Sequence, residues 1–278
     1  MATYKVCKVC DGEISLMNEK YNLGQCENCK LIFSLKIYTQ DEFVEVYDRL
    51  YNDRNAIYSR HSVIEYNMLL ENKKIEIGYY RSRLLKKHVL NGKCESVLEI
   101  GSGVGLIGSY IRKHNDKIKY TGVEIDKESF DKSRVLNLNT INADFSIMDK
   151  IEDTFDVVML WEVIEHLQDL KKFIELAYKR LNKNGKIILS TPNYNKIYNY
   201  PKREKDQIFQ DFPPVHINFF TTENIINIFE INQYKNCEAL VKKFPYINFK
   251  SKEFYLNFIK AFFNSYKGST IYFVATKS

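Results

Sequence analysis

A chain of 278 residues is long enough to bury one or two cores, and 45% apolar with 27% charged residues and only five prolines is the composition of a folded protein, not of a disordered or fibrous one. No apolar run approaches the roughly 18 residues of a membrane span, and the start, MATYKVCKVC, lacks a signal peptide's apolar core, so the expected location is the cytoplasm. Of the net charge of +6, residues 1–40 hold five Lys against four acids and residues 201–278 hold eleven basic residues against seven acidic; this admits an anionic substrate but lacks the concentrated basic face that phosphate neutralisation demands of a nucleic-acid binder.

The first feature along the chain is cysteine spacing. Cys7, Cys10, Cys26 and Cys29 form CxxC, fifteen intervening residues, then CxxC. Two tight knuckles that each deliver two thiolates suit a tetrahedral zinc ion, and a reducing cytoplasm disfavours the disulfide alternative. Such a site is closed, so its expected role is architectural. Cys94 and Cys237 read as ordinary core thiols. Residues 1–40 are therefore expected to form a zinc ribbon, and residues 41–92 a helical linker or lid. Within the latter, DEFVEVYDRLYND and SVIEYNMLLENKKIEIGYYRSRLLKKHVL space apolar residues at helical intervals, and Asn91-Gly92 supplies a stop signal.

From residue 93 the pattern changes to short β-rich runs alternating with amphipathic segments: SVLEI, KYTGVE, TINA, FDVVMLW, KIILST, CEALVKKF and TIYFVATK. Strands interleaved with helices predict an α/β domain over 93–278 with a mostly parallel sheet, ligands beyond the strands' carboxyl ends, and TIYFVATK as an added edge strand. Four of the eleven glycines crowd into Gly101 to Gly108, where backbone must approach something closely.

The run GVGLIG from Gly103 fits the dinucleotide fingerprint literally, with Glu124 about 20 residues on as a ribose acceptor. Register opposes this fit, because the first Gly should follow the strand directly; that residue is Gly101, and Leu106 then occupies the third glycine position. Charge opposes it too. Glu99 would repel a pyrophosphate but attract the ammonium and sulfonium of S-adenosylmethionine.

VLEIGSGVGLIG resembles motif I of class I S-adenosylmethionine-dependent methyltransferases. KYTGVEID resembles the family's second strand, NADF its adenine-contacting segment, and FDVVMLWEVIEHLQDLKKFIELAYKRLNKNGKIILSTPN its fourth strand, helix and fifth strand. CKVC, CENCKLIF and the tyrosines of EVYDRLYND are similar to members carrying an N-terminal zinc ribbon, many of which modify sugars or other small molecules. The resemblance implies a Rossmann-like, doubly wound, mostly parallel seven-stranded sheet with an antiparallel last strand. It also implies that Glu99, Gly101, Ser102 and Gly103 hold the methionine end of the cofactor, Glu124 and Ile125 the ribose side, and Asp144 the adenine amino group. Trp161 is a candidate for packing on the cofactor, with the core as its other reading. Asp126 reads as the N-cap of the following helix.

Methyl transfer needs alignment and, for some acceptors, a base. His166 in EVIEHL and His216 in PPVHINFF follow strand ends, with Glu162 and Glu165 as carboxylate candidates; if helical, Glu162 and His166 share a face as base and orienting acid. His61, His88 and His114 are expected at the surface. Asn193 to Pro214 is a candidate substrate lid, with Lys202, Arg203 and Lys205 able to meet a phosphate or a nucleotide-linked sugar. The leading expectation is a small-molecule methyltransferase acting on a sugar or surface-polysaccharide-related substrate. The alternatives are a zinc-ribbon RNA methyltransferase, which salt-dependent RNA binding would favour, and a non-catalytic zinc-containing binding module.

Overall fold

The computed structural model describes residues 2–47, 57–71, 75, 77–197, 213–245, 249 and 252–278. Its centre is a seven-stranded sheet built from β4 (Ser96–Ile100), β5 (Lys119–Glu124), β6 (Thr140–Asn142), β7 (Phe155–Trp161), β8 (Leu181–Pro192), β10 (Tyr234–Val241) and β11 (Thr270–Lys277). The spatial order is β10-β11-β8-β7-β4-β5-β6. Strands β6, β5, β4, β7 and β8 pair in parallel, while β11 is antiparallel to both of its neighbours.

The central strands are covered on both sides, which is why SVLEI and FDVVMLW read as nearly continuous apolar runs. Alternation along each strand sorts the two faces. Val97, Val157, Met159 and Ile188 pack with Leu85 of α3 (Tyr79–His88) and with Ile107 and Ile111 of α4 (Leu106–His114). Leu98, Ile100, Val158, Leu160, Leu189 and Phe273 pack on the other face, with Phe173 and Ile174 of α6 (Leu170–Arg180) and Ile225 and Phe229 of α8 (Thr222–Ile231).

TIYFVATK is not the edge strand that sequence order suggests. It inserts between β8 and β10, with Ile271, Phe273 and Ala275 fully buried. The CEALV part of CEALVKKF takes the edge within β10, whose alternate residues are the more exposed ones, and the run's last three residues lie beyond the strand. The more apolar of the two runs sits inside because only it can fill both faces.

A second, antiparallel sheet has the order β1-β2-β3-β9, formed by β1 (Ile14–Asn18), β2 (Leu23–Cys26), β3 (Ile32–Ser34) and β9 (Asn218–Phe219). Its fourth strand thus comes from the C-terminal region, pairing Ile32 with Phe219. Cys7, Cys26, Cys29, Leu31 and Phe33 belong to the same core cluster as Phe173, Phe220 and Ile225. Between the sheets in sequence lie α1 (Gln40–Tyr47), α2 (Ile57–Leu70) and α3. The long periodic run over 62–90 is divided, because Gly78 at the start of α3 has φ +74°, a left-handed conformation no helix interior accepts. The end of DEFVEVYDRLYND lies outside the described residues. Asp126 caps α5 (Lys127–Val135), accepting from the Ser129 N–H at 2.7 Å. Among the described residues no helix is long and apolar enough to cross a membrane.

Candidate cofactor cleft and cysteine centre

The chain crosses from β4 to β5 on one side and from β7 to β8 on the other, so the sheet order reverses between β4 and β7, and a crevice opens beyond their carboxyl ends. Gly101 follows Ile100 directly, as the register argument required. Gly101, Gly103 and Gly105 have φ of +71°, +54° and +90°. A Cβ on Gly101 would come within 2.5 Å of Val163 Cγ2, and one on Gly105 within 2.2 Å of Leu138 Cδ1, so backbone conformation and space both require glycine at these two positions. Gly108 packs α4 against the Tyr120 ring, where a Cβ would approach to 2.6 Å.

Glu99 is buried at the end of β4, and the Tyr120 hydroxyl donates to its Oε2 at 2.5 Å. Burial raises its carboxyl to about 8, against the opposing influence of that hydrogen bond and of Arg81. Glu124 ends β5 and clasps the turn: its Oε2 accepts from the Gly103 N–H at 2.6 Å and its Oε1 from the Asp126 N–H at 2.8 Å. Burial raises Glu124 as well, the backbone donors opposing. Ser102, within this turn, is buried.

A cleft of about 630 Å³ opens beside the residues that directly follow β5. Ile125, Asp126, Asp144, Phe145 and Ser146 form one wall, Tyr38, Phe43 and Val44 another, and His166 and Lys172 reach it as well. Of the cofactor residues expected from sequence, Ile125 and Asp144 line it, whereas Glu99, Gly101, Ser102, Gly103, Glu124 and Trp161 are not part of its lining. Asp144 caps a short 3-10 turn, accepting from the Ser146 N–H at 2.6 Å, and so has a structural duty besides facing the cleft.

Trp161 ends β7 on the α3 side of the core, with the Arg81 guanidinium 5.4 Å from its ring. Arg81 also lies 4.0 Å from Glu162 Oε1. Sequence reasoning missed Arg81 and Tyr120. Neither stands in a motif, and the sheet and helix packing alone bring them to the two acids.

Glu162 and His166 do not share a helix face. Glu162 has φ +54°, and only Ile164–His166 form a 3-10 turn, because the backbone leaves β7 through Glu162 N–H donating to Ser190 O. Glu162 accepts from the Ser190 hydroxyl at 2.6 Å. His166 instead meets His216, their rings 4.7 Å apart at 66°. Burial lowers His166 to about 4 and holds His216 well below the usual histidine range. Of the other histidines, His114 is exposed, whereas His88 is half-buried and lowered to about 4, first by burial and then by Lys87 and Lys186; the His61 side chain lies outside the described residues. Most of the candidate lid, with Lys202, Arg203 and Lys205, also lies outside them.

The four cysteines converge, their sulfurs within 4.8 Å of one another. The two knuckles repeat one backbone pattern. Cys7 N–H donates to Gly12 O and Asp11 N–H to Cys7 O; Cys26 N–H donates to Leu31 O and Lys30 N–H to Cys26 O. Asp11 and Lys30, each directly after a second cysteine, are both left-handed at φ +57° and +62°. The Cys7–Cys29 and Cys10–Cys26 sulfurs stand 3.6 and 3.5 Å apart, close to the edge of about 3.8 Å of a tetrahedron with zinc–sulfur bonds near 2.3 Å. A Cβ on Gly12 would crowd the Cys26 and Cys10 sulfurs at 3.2 and 3.4 Å. The set therefore fits zinc. The hydrogen-bonded Cys7 first, and burial second, push the Cys29 thiol up, an effect that a bound cation would oppose.

A Rossmann-like, mostly parallel seven-stranded sheet with antiparallel last strands is the fold of the methyltransferase class. The Methyltransferase domain family matches residues 71–239, and the chain belongs to that family. Ubiquinone biosynthesis O-methyltransferase of Coxiella burnetii is 29% identical over 128 residues, 44% of this chain and 54% of that protein, so the chain spans about half the length of this relative. An uncharacterised protein of Methanocaldococcus jannaschii is 27% identical over 203 residues, 72% of this chain and 82% of that one. A SAM-dependent methyltransferase from Archaeoglobus fulgidus has the same fold, with a TM-score of 0.55 at 18% identity, covering 74% of this chain and 96% of the other. The plantazolicin methyltransferase BamL, solved with SAH and a triazolic desmethylPZN analogue, gives a TM-score of 0.50 at 16% identity, covering 85% of this chain and 91% of that one.

Proposed function

We propose that this protein binds S-adenosylmethionine beyond β4 and β5 and methylates a small molecule. The observation that carries this reading is the buried Glu99 carboxyl, held by Tyr120 behind a glycine turn that Glu124 clasps. When bound, the cofactor supplies an electrophilic methyl group on a sulfonium. Glu99 and Arg81, one acid and one base at the same end of the site, match the ammonium and carboxylate of its methionine part. Glu124 keeps lone pairs free for ribose hydroxyls, and Ile125, Asp144 and Phe145 line the adenine side. Trp161 walls the methionine end.

The acceptor then lies toward His166, in the part of the cleft walled by Tyr38, Phe43 and Val44. The resemblance to ribbon-bearing relatives supports a sugar or glycan-related acceptor, either nucleotide-linked or phosphorylated. Zinc in the four-cysteine centre is part of the same reading, as is a division at about residues 40 and 92 into ribbon, helical cover and methyltransferase domain.

Calorimetry tests the cofactor directly. S-adenosylmethionine and its demethylated product should both bind, and Glu99→Gln should weaken both by about 10- to 100-fold, the worth of a charged hydrogen bond. Absence of heat with either compound would overturn the proposal. For the acceptor, label from the methyl group should enter nucleotide-linked sugars; label entering RNA instead would replace this substrate class.

A further inference from the structure

We infer that Glu165, His166 and His216 form a second metal site, distinct from the cysteine centre, which holds a divalent first-row transition-metal ion at the acceptor end of the cleft. The three side chains offer two imidazole nitrogens and one carboxylate oxygen within 4.8 Å of one another. Two imidazoles and a carboxylate on one side of an ion, with positions left open, suit iron, cobalt or zinc better than magnesium or calcium.

The surrounding structure fixes each ligand. His166 Nδ1–H donates to Val215 O at 2.8 Å, which leaves Nε2 as the lone pair, 3.9 Å from Glu165 Oε1. Thr191 Oγ1 donates to Glu165 Oε2 at 3.0 Å, orienting the carboxylate from the end of β8. Ile217 N–H donates to Glu165 O, and the Asn218 amide to Ile164 O and Leu167 O, so the segment bearing His216, just before β9, is tied to the turn bearing the other two ligands. Glu165 and His216 are buried at 1% and 4% exposure, while His166 opens onto the cleft. Ligands held rigidly on two segments tied to each other, with one face toward the substrate space, are what a catalytic metal requires and a purely structural one does not.

The ion's role rests on the methyl-transfer reading. Bound to an acceptor hydroxyl, it lowers that group's pKa, and the proton passes to water at the cleft mouth. The new oxygen–carbon bond forms as the sulfur–carbon bond breaks, giving a methyl ether and the demethylated cofactor. His166 and His216 then serve as ligands, and no side-chain base is needed.

Cobalt(II) added to zinc-loaded protein separates the two centres. Visible ligand-field bands should report about one added Co2+ per chain, without the near-ultraviolet sulfur-to-cobalt absorption of a thiolate site. His216→Ala and Glu165→Gln should each abolish those bands while keeping the ribbon's zinc and the heat of binding of the demethylated cofactor. The Gln variant is nearly isosteric and guards against misfolding. No cobalt bands in the unaltered protein, or bands that survive both substitutions, would overturn the site. Failure of cofactor binding alone would instead overturn the methyl-transfer reading and leave the metal result standing.

Discussion

Glu99 was legible in the sequence because a carboxylate at the end of a buried strand is costly unless a cation or a strong donor faces it. Its donor was not legible. Tyr120 reaches Glu99 only because β4 and β5 pair in a register that sets Glu99 opposite Gly122, a position with no side chain to block the approach. Two predictions belong at this scale. Tyr120→Phe removes the hydroxyl and leaves a buried acid without its donor, so cofactor affinity should fall and chemical denaturation should show a loss of about 1–3 kcal/mol. Gly101→Ala forces a side chain into a left-handed position against Val163; cofactor binding measured by calorimetry should be lost, with destabilisation of about 1–3 kcal/mol.

Among the elements, the cysteine knuckles were the most legible, since four ligands at fixed spacing need no tertiary information. Their consequence for the rest of the protein was hidden. Because β3 pairs with β9 and the ribbon's apolar residues share a core with α6 and α8, zinc removal should do more than unfold forty residues. Chelation followed by thermal melting should lower the main transition itself; an unchanged main transition beside a small separate one would count against this coupling. The turn after β7 does not meet the condition that Glu162 and His166 be helical, for a related reason. EVIEHL has helical spacing, but the pairing of β7 with β8 draws Glu162 into a left-handed residue, and a 3-10 turn follows. Tertiary hydrogen bonds outweigh a preference worth tenths of a kcal/mol per residue.

For the whole molecule, burial of Glu99 couples cofactor binding to stability. Its folded-state value of about 8 lies above the ordinary 4.5, so the unfolded chain loses this proton first as pH rises, and the stabilisation present below 4.5 is lost progressively through about pH 8. Denaturation at a series of pH values should show this fall, and Glu99→Gln should flatten it. The demethylated cofactor, whose ammonium favours the ionised acid, should flatten it as well. The fold class, the family, the cysteine set and the acids at the strand ends could all be read from sequence, because each is written in local spacing or in a charge that chemistry must answer. Tertiary structure alone decided that the last strand lies inside the sheet, that a C-terminal strand completes the ribbon, and that Arg81, Tyr120 and the Glu165–His166–His216 group reach their partners. Those meetings depend on which strand neighbours which, a choice made by burial summed over the whole core and not by any single segment.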